Sequence, residues 1–123
     1  ESPLPAVKAP LVAAAGWATL SSLVSIKADA ELDLMEFKRL LERVRLTIHQ
    51  APDAVRYQMN SFIIALGSYV SSLTGIAIQT AERIGPVTAD MGNTSCEVPL
   101  AADYIRKVQK RGAIGRKRKT AKC

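Results

Sequence analysis

The sequence predicts an all-α fold of helical repeats, with two antiparallel helix pairs followed by a C-terminal helix and a basic tail. Apolar residues recur every three to four positions along most of the chain, which is the spacing of amphipathic helices. No segment alternates apolar and polar residues between turn signals, as a half-buried strand would. The 123 residues, 48% of them hydrophobic, suffice for one domain with a modest core.

The first helix pair opens the predicted domain, which covers residues 11–111. Residues 1–10 hold three prolines and are expected to be a linker or a frayed start, with Pro10 in the first helical turn. Asp33 is the expected N-cap of the second helix, with Glu36 as its N3 partner. The small residues of the first helix predict that another helix approaches closely. Its apolar stripe contains Val12, Ala15, Gly16, Thr19, Leu20, Leu23 and Val24.

The second helix pair follows a break at Pro52. Gly67 lies inside the third helix and predicts a close crossing there. Ser71 or Ser72 is the expected N-cap of the fourth helix, and Gly85 is expected to end it. Residues 86–98 should be irregular, Pro99 should open the fifth helix, and Gly112 should end it. We expect helix one to pair with two and three with four, in units of about 35–45 residues, a length typical of HEAT-like repeats.

The charges divide the chain in two. Residues 1–105 carry eight Lys or Arg and eleven Asp or Glu, whereas residues 106–123 carry nine Lys or Arg and no acid. Such a split is typical of proteins that contact a polyanion, with duplex DNA the first candidate; a merely solvated tail, 112–123, is the alternative. No aromatic residue interleaves with the tail charges, so a single-strand preference is not predicted. The expected phosphate contacts are Arg106, Lys107, Lys110, Arg111, Arg116, Lys117, Arg118, Lys119 and Lys122.

The two cysteines, Cys96 and Cys123, do not form a disulfide framework, and with the single His49 they lack the spacing of a zinc site. We therefore predict no metal and no cofactor.

No apolar run reaches the about 18 residues of a membrane span, and the N-terminal residues lack a basic signal-peptide region. The sequence thus predicts a cytoplasmic protein without a membrane partner. Its Pro-rich start without Met suggests a processed or truncated piece of a longer chain. Because two helix pairs are few for an independent solenoid, a homo-oligomer that completes the helical-repeat surface is also expected.

Several ordered stretches resemble the DNA alkylation repair family, whose members are built from HEAT-like repeats. The resemblance covers most of the chain from about residue 11 onward and is most specific near the C-terminus. Its stretches are AAGWATL (14–20), APDAVRYQMN (51–60), AERIG (81–85), DMGNTSC (90–96), VP (98–99), YI (104–105), Gly112, GRKRKT (115–120) and Cys123.

The resemblance implies a curved solenoid with a basic concave face for duplex DNA. Family glycosylases remove N3- or N7-alkylated purines with an aspartate and aromatic residues near the lesion. No position of this chain matches that aspartate or its aromatic partners, so the catalytic residues stay unknown. Trp17 is expected in the core or an interface, and Asp53 as a first-turn acid. Two alternatives to DNA binding remain, a protein-interaction scaffold and part of a glycosylase whose catalytic repeats lie elsewhere.

Overall fold

Five α-helices make up the computed structural model, which describes residues 8–90 and 98–119. They are α1 (Lys8–Ile26), α2 (Leu34–Thr47), α3 (Asp53–Tyr69), α4 (Thr74–Ile84) and α5 (Ala101–Lys110). Short 3₁₀ turns at Asp29–Glu31, Ile48–Gln50 and Ser71–Leu73 connect them. The described ranges hold no strand, so the all-α prediction is confirmed. The predicted turn at 91–95, both cysteines and Lys122 lie outside the described residues.

Local signals set most helix ends as expected. The Asp33 carboxylate accepts the Glu36 backbone N–H at 3.2 Å and caps α2. Gly85 ends α4 with a φ of 75°. Gly112, with a φ of 68°, ends α5 in a Schellman motif: its N–H donates to Gln109 O at 2.9 Å, and the Ala113 N–H donates to Val108 O at 3.1 Å.

Three helix starts differ from the expectation. α5 begins at Ala101 with Leu100 as its N-cap, two residues after Pro99, which the sequence predicts to open it. α1 begins at Lys8, so its first turn includes Pro10 and reaches into the expected linker. Neither Ser71 nor Ser72 caps α4, because both lie in a 3₁₀ turn and the helix begins at Thr74. The Thr74 hydroxyl instead donates to Gly67 O at 2.7 Å. That bond links the start of α4 to the last turns of α3. The local sequence does not predict it, because it depends on how the two helices pack.

The helices stack in two layers. α1 packs most extensively on α3, and α2 packs on α4, while α5 contacts both α3 and α4. The expected contact between α3 and α4 is present, but no comparable contact joins α1 to α2, so that predicted pairing is wrong. The reason is that Trp17 of α1 lies against Phe62 of α3, with ring centroids 5.2 Å apart. This aromatic contact directs α1 onto the next pair rather than onto its own partner.

Phe62 of α3 lies at the centre of the core. Trp17 contacts it from α1 and Phe37 from α2, at a centroid distance of 6.2 Å. Trp17 is only 8% exposed, which confirms its expected place in the core. The other large, fully buried side chains are Leu41, Ile48, Ile63, Leu66, Leu73 and Ile105. Burying such side chains is the main favourable contribution to folding.

The expected apolar stripe of α1 points largely away from this core. Val12, Ala15, Gly16, Thr19 and Leu23 are exposed, while Leu20 and Val24 pack inward with Trp17. α1 is apolar around most of its circumference, so its apolar spacing does not identify the packed face.

By length and composition Ala9–Ile26, with a mean hydropathy of 1.5, could also cross a membrane. Only 22% of that segment is buried, whereas core helices of soluble proteins that meet the same criterion are mostly buried. The expectation that no run is long enough for a membrane span is therefore not confirmed. Residues Asp53–Tyr69 and Ser71–Ile84 also meet the criterion when taken together across their 115° bend.

Arg56 holds the segment before α3 to the segment after α4. Its guanidinium donates to Ala51 O at 2.8 Å, to Ile48 O at 3.2 Å and to Thr88 O at 2.7 Å. Asp53, in the first turn of α3, lies 3.7 Å from the same guanidinium. Asp53 is therefore the first-turn acid that the sequence predicts.

Gly67 provides a test of the core, with Gly16 as the matched control. A Cβ at Gly67 would overlap the Ile105 side chain and lie 3.1 Å from the Ala77 Cβ. We expect Gly67→Ala to lower the free energy of unfolding by about 1–2 kcal/mol, because overpacking outweighs the gain in helix propensity. A Cβ at Gly16 meets no atom within 4 Å, so Gly16→Ala should raise stability by up to about 1 kcal/mol. Urea unfolding measures both; equal effects would contradict the close crossing.

Candidate nucleic-acid interface

The basic tail folds back onto the helical body. Its described part after α5, residues 113–119, is called the strap below. The Gly115 N–H donates to Ser68 O in the last turn of α3 at 2.8 Å, and the Arg118 N–H donates to Ser25 O at the end of α1 at 2.7 Å. The last carbonyls of a helix have no partner within the helix. The strap therefore caps two helices that lie far from it in sequence.

Lys117 adds a charged cap to the same helix end. Its ammonium group donates to Val24 O at 2.9 Å and pairs with the Asp29 carboxylate at 2.8 Å. A cation is favourable at a helix C-terminus, where the helix dipole places partial negative charge. The Lys117 side chain is 21% exposed. The sequence predicts Lys117 as a phosphate contact, but the fold engages it in an internal ion pair.

Arg118 lies beside Lys117 in the strap and has a different environment. Its guanidinium carbon lies 5.5 Å from the centroid of the Tyr69 ring, within the range of a cation–π interaction. Its backbone N–H is bonded to Ser25 O, so both the backbone and the side chain of Arg118 are held in place. Arg118 remains exposed and lines the groove described next.

The strap, α1, α3 and α5 enclose an open groove of about 740 Å³. Three arginines line it: Arg111 at the end of α5, and Arg116 and Arg118 in the strap. The described lining contains no Asp or Glu, so no carboxylate offsets these charges. The other lining residues are Ala18, Thr19, Ser21, Ser22, Ser25, Gln58, Ser61, Ile64, Ala65, Ser68, Tyr69, Tyr104, Val108 and Ala113.

The charged lining of the groove comes from a short stretch of the chain. Arg111 is the C-cap of α5 and the other two arginines lie in the strap, whereas α1 contributes small apolar residues and hydroxyls. Several of these hydroxyls bond within α1: Thr19 to Ala15 O at 2.9 Å, Ser21 to Trp17 O at 3.0 Å and Ser25 to Ser22 O at 2.7 Å. The three arginines are called the cationic wall below.

The remaining predicted contacts are spread over other surfaces. Arg106 faces α4, where it pairs with Glu82 at 3.0 Å; within α5 it also pairs with Asp103 at 3.9 Å. Lys107, Lys110 and Lys119 are exposed and do not line the groove. Of the eight predicted residues that the structure describes, it therefore brings together Arg111, Arg116 and Arg118.

Two tyrosines that sequence reasoning did not select also line the groove. Tyr104 shares a face of α5 with Val108 and Arg111, and its spacing of seven residues from Arg111 is a signal that the sequence offers. Tyr69 meets the strap only through the tertiary fold, and no sequence signal identifies that contact. Among the described residues, no three His, Cys, Asp or Glu side chains cluster as metal ligands.

Comparison with known proteins adds two kinds of relative. The chain is 36% identical over 96 residues to an uncharacterised protein of Listeria innocua, and 35% identical over 96 residues to one of Listeria monocytogenes. Each match covers 78% of this chain and 40% of the relative. No family model matches the chain.

A solved structure is similar to most of the chain, with a TM-score of 0.80 and 28% identity. That protein belongs to a new family related to the HEAT-like repeat DNA glycosylases, with affinity for branched DNA structures. The similarity covers 89% of this chain and 47% of that one. The predicted HEAT-like repeat architecture is thereby confirmed. This chain spans less than half the length of each of these relatives.

Lys117→Met tests the structural role of the strap, with Lys119→Met as its control. Loss of the Val24 and Asp29 contacts should lower the free energy of unfolding by about 1–2 kcal/mol, within the range for hydrogen bonds of charged groups. Lys119 is exposed, so its replacement removes the same charge and should change stability by less than about 0.5 kcal/mol. Thermal or urea unfolding distinguishes them; equal destabilisation would contradict the capping role.

Proposed function

We propose that this chain is a DNA-binding helical-repeat segment that contacts the phosphate backbone through the cationic wall of its groove. The observation that carries the proposal is the convergence of Arg111, Arg116 and Arg118 on a groove whose described lining has no carboxylate. Guanidinium groups bind phosphate by paired hydrogen bonds. Contacts of this kind give affinity that is independent of sequence and sensitive to salt.

The similar solved structure supports the same proposal. It belongs to a family with affinity for branched DNA and a relationship to DNA glycosylases. We propose that duplex DNA is the principal ligand of this chain. We further propose that the whole protein takes part in DNA alkylation repair. A cytoplasmic location, where bacterial DNA lies, accompanies that proposal.

We propose binding rather than excision for this chain. Removal of an alkylated purine requires a group that stabilises the developing positive charge on the sugar, and a carboxylate is the usual one. The groove offers arginines at the positions that the structure describes, and these disfavour such a charge. A glycosylase would need its catalytic residues from other repeats.

A protein-interaction scaffold is the second candidate, and the exposed face of α1 favours it. Leu11 and Val12 on that helix are 59% and 57% exposed. Clustered exposed apolar residues often belong to contacts with protein. Capture of a protein partner that survives nuclease treatment, from a chain that does not bind DNA, would support the scaffold over the DNA-binding proposal.

Replacing all three groove arginines tests the proposed function. The variant Arg111→Gln, Arg116→Gln, Arg118→Gln should bind a blunt duplex at least about tenfold more weakly at low salt. Its dependence of log affinity on log salt should flatten by up to about 2.7, since each lost phosphate contact removes about 0.9. Fluorescence anisotropy across a salt series gives both quantities.

The matched control removes three charges from the other layer. Lys38, Arg39 and Arg43 are exposed on α2 and lie outside the groove. Their replacement by Gln changes the net charge equally and should leave affinity and salt slope near the wild-type values. If both triple variants lose affinity to the same degree, net charge and not the groove governs binding.

A further inference from the structure

We propose that the groove receives unpaired nucleotides of one DNA strand and that Tyr104 is the surface on which a base stacks. This inference rests on the proposed function and names the part of the DNA that enters the groove. Three observations carry it: the size of the groove, arginines that no carboxylate of the described lining offsets, and the partly exposed ring of Tyr104.

The groove has the size of a small-ligand site. Its volume of about 740 Å³ falls within the about 300–1,000 Å³ of pockets that enclose drug-sized molecules. A few nucleotides fit such a volume. The stacked base pairs of a double helix cannot enter such a space. A duplex can therefore place only the edge of one backbone against the groove arginines, while unpaired nucleotides can enter.

The distribution of charge fits one phosphate backbone. Arg111, Arg116 and Arg118 follow one another along the chain, and neither α1 nor α3 adds a charged residue to the described lining. A single strand presents phosphates along one edge and its sugars and bases along the other. With its phosphates on the arginines, its bases and sugars can contact the uncharged remainder of the lining.

Tyr104 supplies an aromatic face next to the cationic wall. The side chain lines the groove and is 45% exposed. Arg111 lies seven residues further along the same face of α5, so a base on the ring has a phosphate-binding group nearby. Tyr69, the other groove tyrosine, already contacts Arg118 through its ring. Stacking of bases on aromatic side chains tolerates any sequence, which agrees with backbone contacts that carry no sequence information.

The sequence of the tail does not predict this arrangement, because its charges have no aromatic residue among them. Only the spacing of Tyr104 and Arg111 points to it. The fold brings Tyr104 of α5 into the lining of the same groove as Arg116 and Arg118 of the strap. Aromatic and basic residues that are separated along the chain therefore share one groove.

The test compares a blunt duplex with the same duplex carrying an unpaired extension. Wild-type protein should bind the extended duplex more tightly at equal salt. Tyr104→Ala should weaken binding to the extended duplex by about fivefold or more and leave binding to the blunt duplex unchanged. Tyr104→Phe keeps the ring and should retain the wild-type preference. A fluorescent base analogue in the extension should be quenched by the wild type and by Tyr104→Phe, but not by Tyr104→Ala.

The outcomes separate this inference from the proposed function. Equal binding of both probes, or equal loss by Tyr104→Ala on both, overturns the single-strand groove while DNA binding stands. Failure of wild-type protein to bind either probe overturns the proposed function itself. An extension made of RNA that is bound more tightly than DNA overturns the assignment to a DNA strand. Thermal unfolding of Tyr104→Ala checks its fold, and the quenching experiment on the wild type does not depend on any variant.

Discussion

The hydrogen bonds from the strap to the ends of α3 and α1 are the constraint on which the candidate site depends. Gly115 and Arg118 donate their backbone N–H groups to Ser68 O and Ser25 O, which satisfies carbonyls that the helices leave free. Because these bonds fix the backbone on both sides of Arg116, the strap forms a wall rather than a loose arm. The groove exists because this wall crosses the layer that α1 and α3 form.

The eight basic residues that the structure describes between positions 106 and 119 have separate environments despite their similar chemistry. Lys117 caps a helix and pairs with Asp29, and Arg106 joins α5 to α4 through Glu82. The groove arginines face an open volume, whereas lysines of α5 lie on the outer surface. A guanidinium binds phosphate in a fixed, planar geometry, and an ammonium group acts as a point charge. The groove therefore holds the residues suited to oriented contacts, and the surface holds those suited to general attraction.

The parts of the structure that sequence reasoning predicted correctly are those that local chemistry determines. The Asp33 cap and the glycines at positions 85 and 112 act within a few residues, so the helix ends follow from neighbours in the chain. The stacking of α1 on α3 depends on Trp17 meeting Phe62, 45 positions later, and α1 offers apolar residues on nearly every side. The strap contacts are more distant still, and they decide which charges face the groove. Sequence therefore identified the basic residues, while only the fold identified which of them share a site with Tyr69 and Tyr104.

The strap also links the stability of the fold to the shape of the groove, and the two effects are separable. Lys117 and Arg118 are neighbours, yet the first contacts the body and the second lines the groove. A domain whose stability is about 5–15 kcal/mol stays almost fully folded after a loss of about 1–2 kcal/mol. Removing Lys117 also leaves the backbone bonds of Gly115 and Arg118 in place, so it should change stability far more than affinity. Removing the arginines should have the opposite consequence, because their side chains are exposed and their one ring contact, from Arg118 to Tyr69, is worth only about 0.5–1 kcal/mol at an exposed site. We therefore expect fold stability and DNA affinity to depend on different residues of the strap.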